Sequence, residues 1–464
     1  MAYAVCFWAY LYALKLTKSE ADLDFFLKTA IILRGLILFA FPNLSDDIYR
    51  FIWDGHLTAL GENPFSHLPT YYIENQLFTD VLTPELFAKL NSPNYFSVYP
   101  SVCQGVFFVA VSLFPKSILG ATIVIKFFLF ACEIGTLFLL KKMTIPHLRG
   151  LQNGADLSPL QTPLIYALNP LIIIELVGNV HFEAAMIFFF LLAIYILKTA
   201  YVGYVRETLK VSRTFLAAAV WSLSISAKLL TIMLLPLVWR ELGWKKSLQF
   251  GVFVVVSSLI LFTPIYNDLF VNNILTSIKL YANKFEFNAS LFYLVQGFFY
   301  WKTGWNKIEY ISTYLTGAVA LFIFYRTFLH GVRLSDWATF TRFSDSTTSN
   351  KKLSNLVTHL TQRVIPTGRV FDIEDFMASC LFVLMFYFMC ATTVHPWYAA
   401  MPLACSVFTK WRFSMVWTFT IFLTYHGYTE GSSKHTENFS LVAIEYLAVL
   451  GCFLFEIKVP KKNL

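Results

Sequence analysis

Two adjacent carboxylates, Asp46 and Asp47, follow directly on an apolar stretch of roughly 20 residues, about the length that crosses a bilayer. Charge is costly at the edge of a membrane unless something pairs or uses it. A carboxylate at the mouth of a span meets both water and a lipid-borne substrate, where a general base for transfer from a membrane-anchored donor would stand. A like charge raises one carboxyl's pKa and a nearby cation lowers it, so two neighbouring acids can take different roles. The same residues also read as an interfacial cap, since Ser45, Asp46 and Asp47 are all favoured N-cap types for a helix starting near Ile48.

Other polar residues interrupt apolar sequence in the same way. Lys228, between Ala227 and Leu229, needs an anionic partner, either a lipid phosphate or a buried acid such as Glu133 or Glu175. Gly178-Asn179-Val180-His181-Phe182-Glu183 reads as a hairpin tip. His181 and Glu183 lack a third ligand at fixed spacing for a metal site, so turn residues explain them as well. His395 precedes Pro396, which occupies a favoured first helical position, and Trp397 and Tyr398 follow. Glu286 and Asn288, together with Tyr49, Arg50 and Asp54 beside the acidic pair, complete the polar set. Arg34, mid-span, reads as paired or snorkelling.

These residues sit in a chain that is 57% hydrophobic and 14% charged over 464 residues, the composition of an all-α polytopic membrane protein. Continuous apolar runs, without strand-like alternation, exclude a β-barrel. The net charge of +8 comes from short basic clusters between those runs, a positive-inside pattern that excludes a nucleic-acid surface. The seven cysteines lie mostly within apolar runs and suggest neither zinc nor disulfides. The first stretch, Met1 to Leu14, is short for a span and has no basic leader, which leaves room for a longer natural N-terminus.

Charge asymmetry sets the expected topology. The loop 44–100 carries Arg50 and Lys89 against seven acidic residues and is placed outside the cytoplasm, while the polar loop 329–375 is placed inside it. Parity makes 101–114 a partly inserted helix and 162–198 a hairpin with its tip outside. Thr214 to Trp239 is too short for two full crossings at 1.5 Å per residue against a core of about 30 Å. It is expected as a broken or re-entrant pair with Ser226-Ala227-Lys228 at its apex, where irregular backbone is tolerated only if it lines a cavity; the alternative is one ordinary span that puts Arg240, Lys245 and Lys246 outside. The total is about 12 or 13 transmembrane or re-entrant helices in a single integral-membrane domain, 1–464.

At the chemistry-bearing residues the sequence resembles the GT-C glycosyltransferases. The string Leu44-Ser45-Asp46-Asp47-Ile48-Tyr49-Arg50-Phe51-Ile52-Trp53-Asp54-Gly55, followed by Gly61-Glu62-Asn63-Pro64-Phe65, is similar to their first outer loop. Tyr99-Pro100, Asn169-Pro170-Leu171, the tip 178–183, Ala227-Lys228-Leu229, Phe285-Glu286-Phe287-Asn288 and Val394-His395-Pro396-Trp397-Tyr398 add to the likeness, which is strongest to bacterial polyprenol-phosphomannose-dependent α-mannosyltransferases and their Bacteroidetes relatives. The resemblance implies a GT-C-like bundle in the bacterial inner membrane with its site facing the periplasm. It implies transfer of a hexose, mannose foremost, from a polyprenyl-phosphate sugar to a hydroxyl of a glycan, lipid or protein acceptor, with inversion.

It further implies that Asp46 or Asp47 is the base, Asp46 being favoured by likeness to related Asp-Glu pairs. Arg50 and Lys228 would hold the donor phosphate. Tyr49, Asp54, Asn179, His181, Glu183, Glu286, Asn288, His395, Trp397 and Tyr398 would surround the substrates. A phosphodiester leaving group needs no metal in principle, so no cofactor and no divalent ion are expected. A lipid or sugar transporter is the rival reading, but it predicts an inverted repeat and charges near both faces, and neither is visible.

Overall fold

A computed structural model describes residues 1–149, 158–201, 207–329, 371–428 and 436–458. Among them the chain is helical throughout, with one isolated parallel bridge between Phe287 and Thr393 in place of any sheet. Six helices are long and apolar enough to cross a membrane: Ile118–Thr144, Glu183–Ala200, Trp244–Ile265, Ile308–Leu329, Ile373–Cys390 and Phe439–Lys458. Other expected passages are shorter or broken. Ala2–Leu16 and Ser101–Leu113 are short apolar helices, and Pro396–Ala399 runs into Ala400–Ser406. The expected inner loop 329–375 falls, from 330 to 370, outside the described residues.

Three local features of sequence build the end of the bundle that carries loop 44–100. The helix Asp47–Ala59 packs on Ser101–Leu113 through Gly55, where a Cβ would come within 2.7 Å of the Phe107 carbonyl oxygen. The segment Ile173–Gly178 is a π-helical turn, a geometry frequent at functional sites, and Val180 after it takes φ 59°. The helix Glu207–Ala227 stops at Lys228, whose extended backbone (φ −158°, ψ 132°) leads into the 3-10 turn Leu229–Leu237. The expected break therefore lies at Lys228.

Two helices fall where no element was expected, Phe270–Lys284 and Leu291–Thr303. The first clasps the large loop: Asn273 Nδ2 donates to the Phe65 carbonyl (2.7 Å) and Ser277 Oγ to that of Phe96 (3.0 Å). Mid-bundle, Arg34 is buried and paired, its Nε donating to Glu133 (2.9 Å) while Tyr166 OH donates to the other oxygen (2.7 Å). Lys126 donates to the Ile37 carbonyl (3.0 Å), satisfying the end of the helix that leads to the acidic pair.

Candidate active site

Asp46 and Asp47 begin the helix Asp47–Ala59, and their surroundings differ. The Asp47 carboxylate accepts a hydrogen bond from Asn91 Nδ2 at 2.8 Å. Asp46 stands at the N-cap position without making a side-chain cap, and its carboxylate is solvent-exposed. Partial desolvation, then the charge of Asp47, holds the Asp46 carboxyl above the usual aspartate range. Such a group is a stronger base than a free aspartate while still being reachable. Tyr49 lies one turn on, with Lys89 5.3 Å from its ring centroid, and its hydroxyl is pushed up by desolvation and by Asp46.

Arg50, expected at the donor phosphate, is committed to the loop. Its Nε donates to buried Asp54 (2.7 Å), and its Nη1 donates to the carbonyls of Ser92 (3.0 Å) and Tyr95 (2.9 Å). Asp54 also accepts from Ser97 Oγ (2.5 Å) and Gln104 Nε2 (3.2 Å). Both side chains are buried and hold the far side of the loop against the acidic helix.

Asn179 joins the tip to the first loop, its Oδ1 accepting from the Leu44 amide (3.3 Å) and its Nδ2 donating to Glu175 (3.2 Å). Glu175, on the π-helical turn, also accepts from Tyr425 OH (2.7 Å) and faces His181 Nε2 at 3.4 Å. Glu183 turns elsewhere and forms an ion pair with Lys228. His181 and Glu183 thus point at different partners. Lys228 also sits 5.2 Å from the Tyr398 ring centroid.

The segment 394–398 closes the arrangement. Trp397 stacks with His181 (3.7 Å between centroids, 18°) and with His395 (4.5 Å, 6°), and Tyr398 stands edge-on to His395 at 5.4 Å. His395 packs on Phe287 (4.8 Å), which the bridge to Thr392 and Val394 fixes in place. Phe287 lies 6.3 Å from Tyr428, and Tyr428 is within electrostatic reach of Asp47 and Asp46. A chain of contacts therefore runs from Tyr428 through Phe287, His395 and Trp397 to His181, Glu175, Asn179 and Leu44, two residues before the acidic pair, whose charge is felt at Tyr428. Tyr398 and Lys228 branch from it.

Besides Arg50 and Asp54, two more expected residues lie outside that set of contacts. Glu286 is exposed and accepts from Gln296 (2.7 Å) and Asn306 (3.0 Å). Asn288 is fully buried and turns to Glu445 on the helix Phe439–Lys458, donating to it at 3.1 Å. Four residues join the site that sequence reasoning had not placed there: Glu175, Tyr425, Tyr428 and Asn91. The signal for the two tyrosines was their position at the polar end of an apolar run.

Residues 1–242 match the family described as alpha-(1->6)-mannopyranosyltransferase, N-terminal domain. That span contains the acidic pair, the tip and Lys228. No curated protein and no solved structure matches the chain.

Proposed function

The chain belongs to the alpha-(1->6)-mannopyranosyltransferase family, and on that premise we propose that it moves mannose from a polyprenyl-phosphate donor to a hydroxyl on the extracytoplasmic face of the membrane. The family description names a 1→6 linkage, so the acceptor oxygen is the primary C6 hydroxyl of a sugar. Asp46 takes the proton from that hydroxyl as its oxygen attacks the anomeric carbon of a β-linked mannosyl phosphate. The bond to the phosphate oxygen breaks on the opposite side, the anomeric centre inverts, and the polyprenyl phosphate leaves with the electron pair.

Lys228 stabilises the charge that grows on the departing phosphate. It is the cation of the site best able to do so, because Arg50 is spent on Asp54 and two carbonyls. Preorganised charge in a low-dielectric setting acts most strongly where charge develops in the transition state. The stacked rings of His181, Trp397 and His395 offer an aromatic wall for the sugar. Arg50 and Asp54 act at a distance, by fixing the loop from which Asp46 projects.

The observation that supports this reading above the others is the chain of contacts joining the first loop at Leu44, the tip and 394–398, with Lys228 attached. The experiment is transfer by the purified full chain from labelled mannosyl polyprenyl phosphate, with nucleotide-linked mannose in parallel, to an α-mannoside acceptor. Product from the lipid donor alone, lost in Asp46→Asn, is expected. Full turnover in Asp46→Asn, or use of the nucleotide donor alone, overturns the assignment.

A further inference from the structure

The helix Phe270–Lys284 inverts the pattern of a helix packed in water. Phe270, Asn273 and Ser277 are buried against the protein, whereas Val271, Leu275 and Ile278, spaced to share one face, are exposed. The helix Ile308–Phe324 exposes a similar stripe, Tyr310, Tyr314 and Leu321. Between these two helices lies a cleft of ≈ 470 Å³, within the size range of small-molecule sites, that the proposed reaction does not use. Three charged side chains line it: Lys279 from the first helix, and Lys307 and Glu309 from the start of the second.

Three observations define what fits there. Ile308 lines the cleft and also begins the span Ile308–Leu329, so the cleft opens where bilayer gives way to water. Trp301, Trp305 and Tyr310 are exposed at that end, as aromatic side chains are at the level of lipid headgroups. Lastly, neither lysine nor Glu309 forms an ion pair among the described residues, although Lys307 Nζ stands 6.0 Å from the Tyr310 ring centroid. A further acid, Glu286, accepts from Asn306 of the cleft (3.0 Å) and from Gln296 (2.7 Å), so amide donors already serve it.

Two cations and one anion, set between apolar stripes at a membrane boundary, match a lipid that carries both signs of charge. We infer that the cleft binds the headgroup of phosphatidylethanolamine, with Lys279 and Lys307 on its phosphate and Glu309 on its primary ammonium. The acyl chains lie along the exposed stripes of the two helices. An anionic headgroup would leave Glu309 facing like charge, and a choline headgroup has no N–H to donate to it. The helix Phe270–Lys284 also clasps loop 44–100 through Asn273 on Phe65 and Ser277 on Phe96, so an occupied cleft braces the loop that carries the acidic pair.

The full chain, freed of lipid in detergent, tests this by native mass spectrometry with phosphatidylethanolamine, phosphatidylcholine and phosphatidylglycerol of identical acyl chains. Wild type should bind its first phosphatidylethanolamine about threefold tighter than either other lipid, the yield of one partly exposed ion pair. Lys279→Gln/Lys307→Gln should lose that binding with an unchanged melting point. Glu309→Gln should bind phosphatidylethanolamine no better than phosphatidylglycerol, because the discriminating carboxylate is gone. Equal affinity of wild type for the three lipids, tighter binding of phosphatidylglycerol, or a preference that survives in Glu309→Gln overturns the inference. Displacement of the lipid by free phosphoethanolamine at equal concentration would make the cleft a site for a soluble ligand, and overturns it as well.

Discussion

Replacement of Lys228 by methionine separates what the ion pair contributes to folding from what the lysine contributes to transfer. Its partner Glu183 is only 2% exposed, so Lys228→Met strands a carboxylate in apolar surroundings. Removing one member of a buried pair costs about 3–5 kcal/mol. The Lys228 side chain keeps 31% exposure, and solvent screening places the expected loss at the low end, about 3 kcal/mol. Turnover should fall by a further factor of about 10²–10³, the usual effect of losing one preorganised group on a developing charge. The double variant Lys228→Met/Glu183→Gln removes the stranded charge and should regain most of the lost stability. It should not regain turnover. Thermal unfolding and initial rates of mannosyl transfer on the same preparations read the two effects apart, with the deficit carried in kcat. If the double variant recovers the wild-type rate along with its melting point, Lys228 merely packs the tip and the phosphate role is refuted.

Asp46→Asn should reduce kcat by about 10²–10⁴, the range for a positioned general base, and Asp47→Asn by much less. Because the base works deprotonated and its carboxyl is raised, activity should be lost as pH falls through a value above that of ordinary aspartate. Asp47→Asn removes one cause of the rise and should move that acid limb to lower pH, which a kcat–pH profile checks. Arg50→Met should destabilise the loop by about 3–5 kcal/mol and admit protease between residues 60 and 98, with Asp54→Asn in the same chain restoring resistance. His181→Ala should raise KM through loss of the stack on Trp397, worth about 0.5–1.5 kcal/mol, whereas His181→Phe should keep most of it in a donor titration.

Legibility in the sequence followed how local the physics was. The break at Lys228 could be read because 26 residues between basic flanks cannot cross twice, a matter of counting. Its partner could not, since Glu183 lies 45 residues away and Glu133 and Glu175 were equally acidic and equally buried in apolar sequence. Arg50 and Asp54 stand four apart on one helix, the spacing at which a pair forms. Glu286 precedes a residue bridged like a strand; successive side chains there point to opposite sides, so Phe287 meets His395 and Glu286 faces away. Glu175 and Tyr425, 250 residues apart, meet only through tertiary packing, which no local pattern records.

Exposure separates the Lys228–Glu183 pair, proposed to work in transfer, from the other two. Arg34 with Glu133 and Arg50 with Asp54 are closed to solvent on both sides, at 0%/0% and 3%/0%. A substrate phosphate could reach either cation only by opening the packing around it, and the abandoned acid would then stay buried and charged. Lys228 alone among these cations is partly open, on a backbone break that no helical hydrogen bond restrains beyond its own amide to Ser224. Its ammonium also lies 5.2 Å from the Tyr398 ring centroid. The pairing that keeps the charge tolerable would then set a threshold for the proposed donor: an anion must offset the loss of Glu183 to claim Lys228, and a phosphodiester held against the membrane by its own lipid tail would be delivered at the effective concentration to do so.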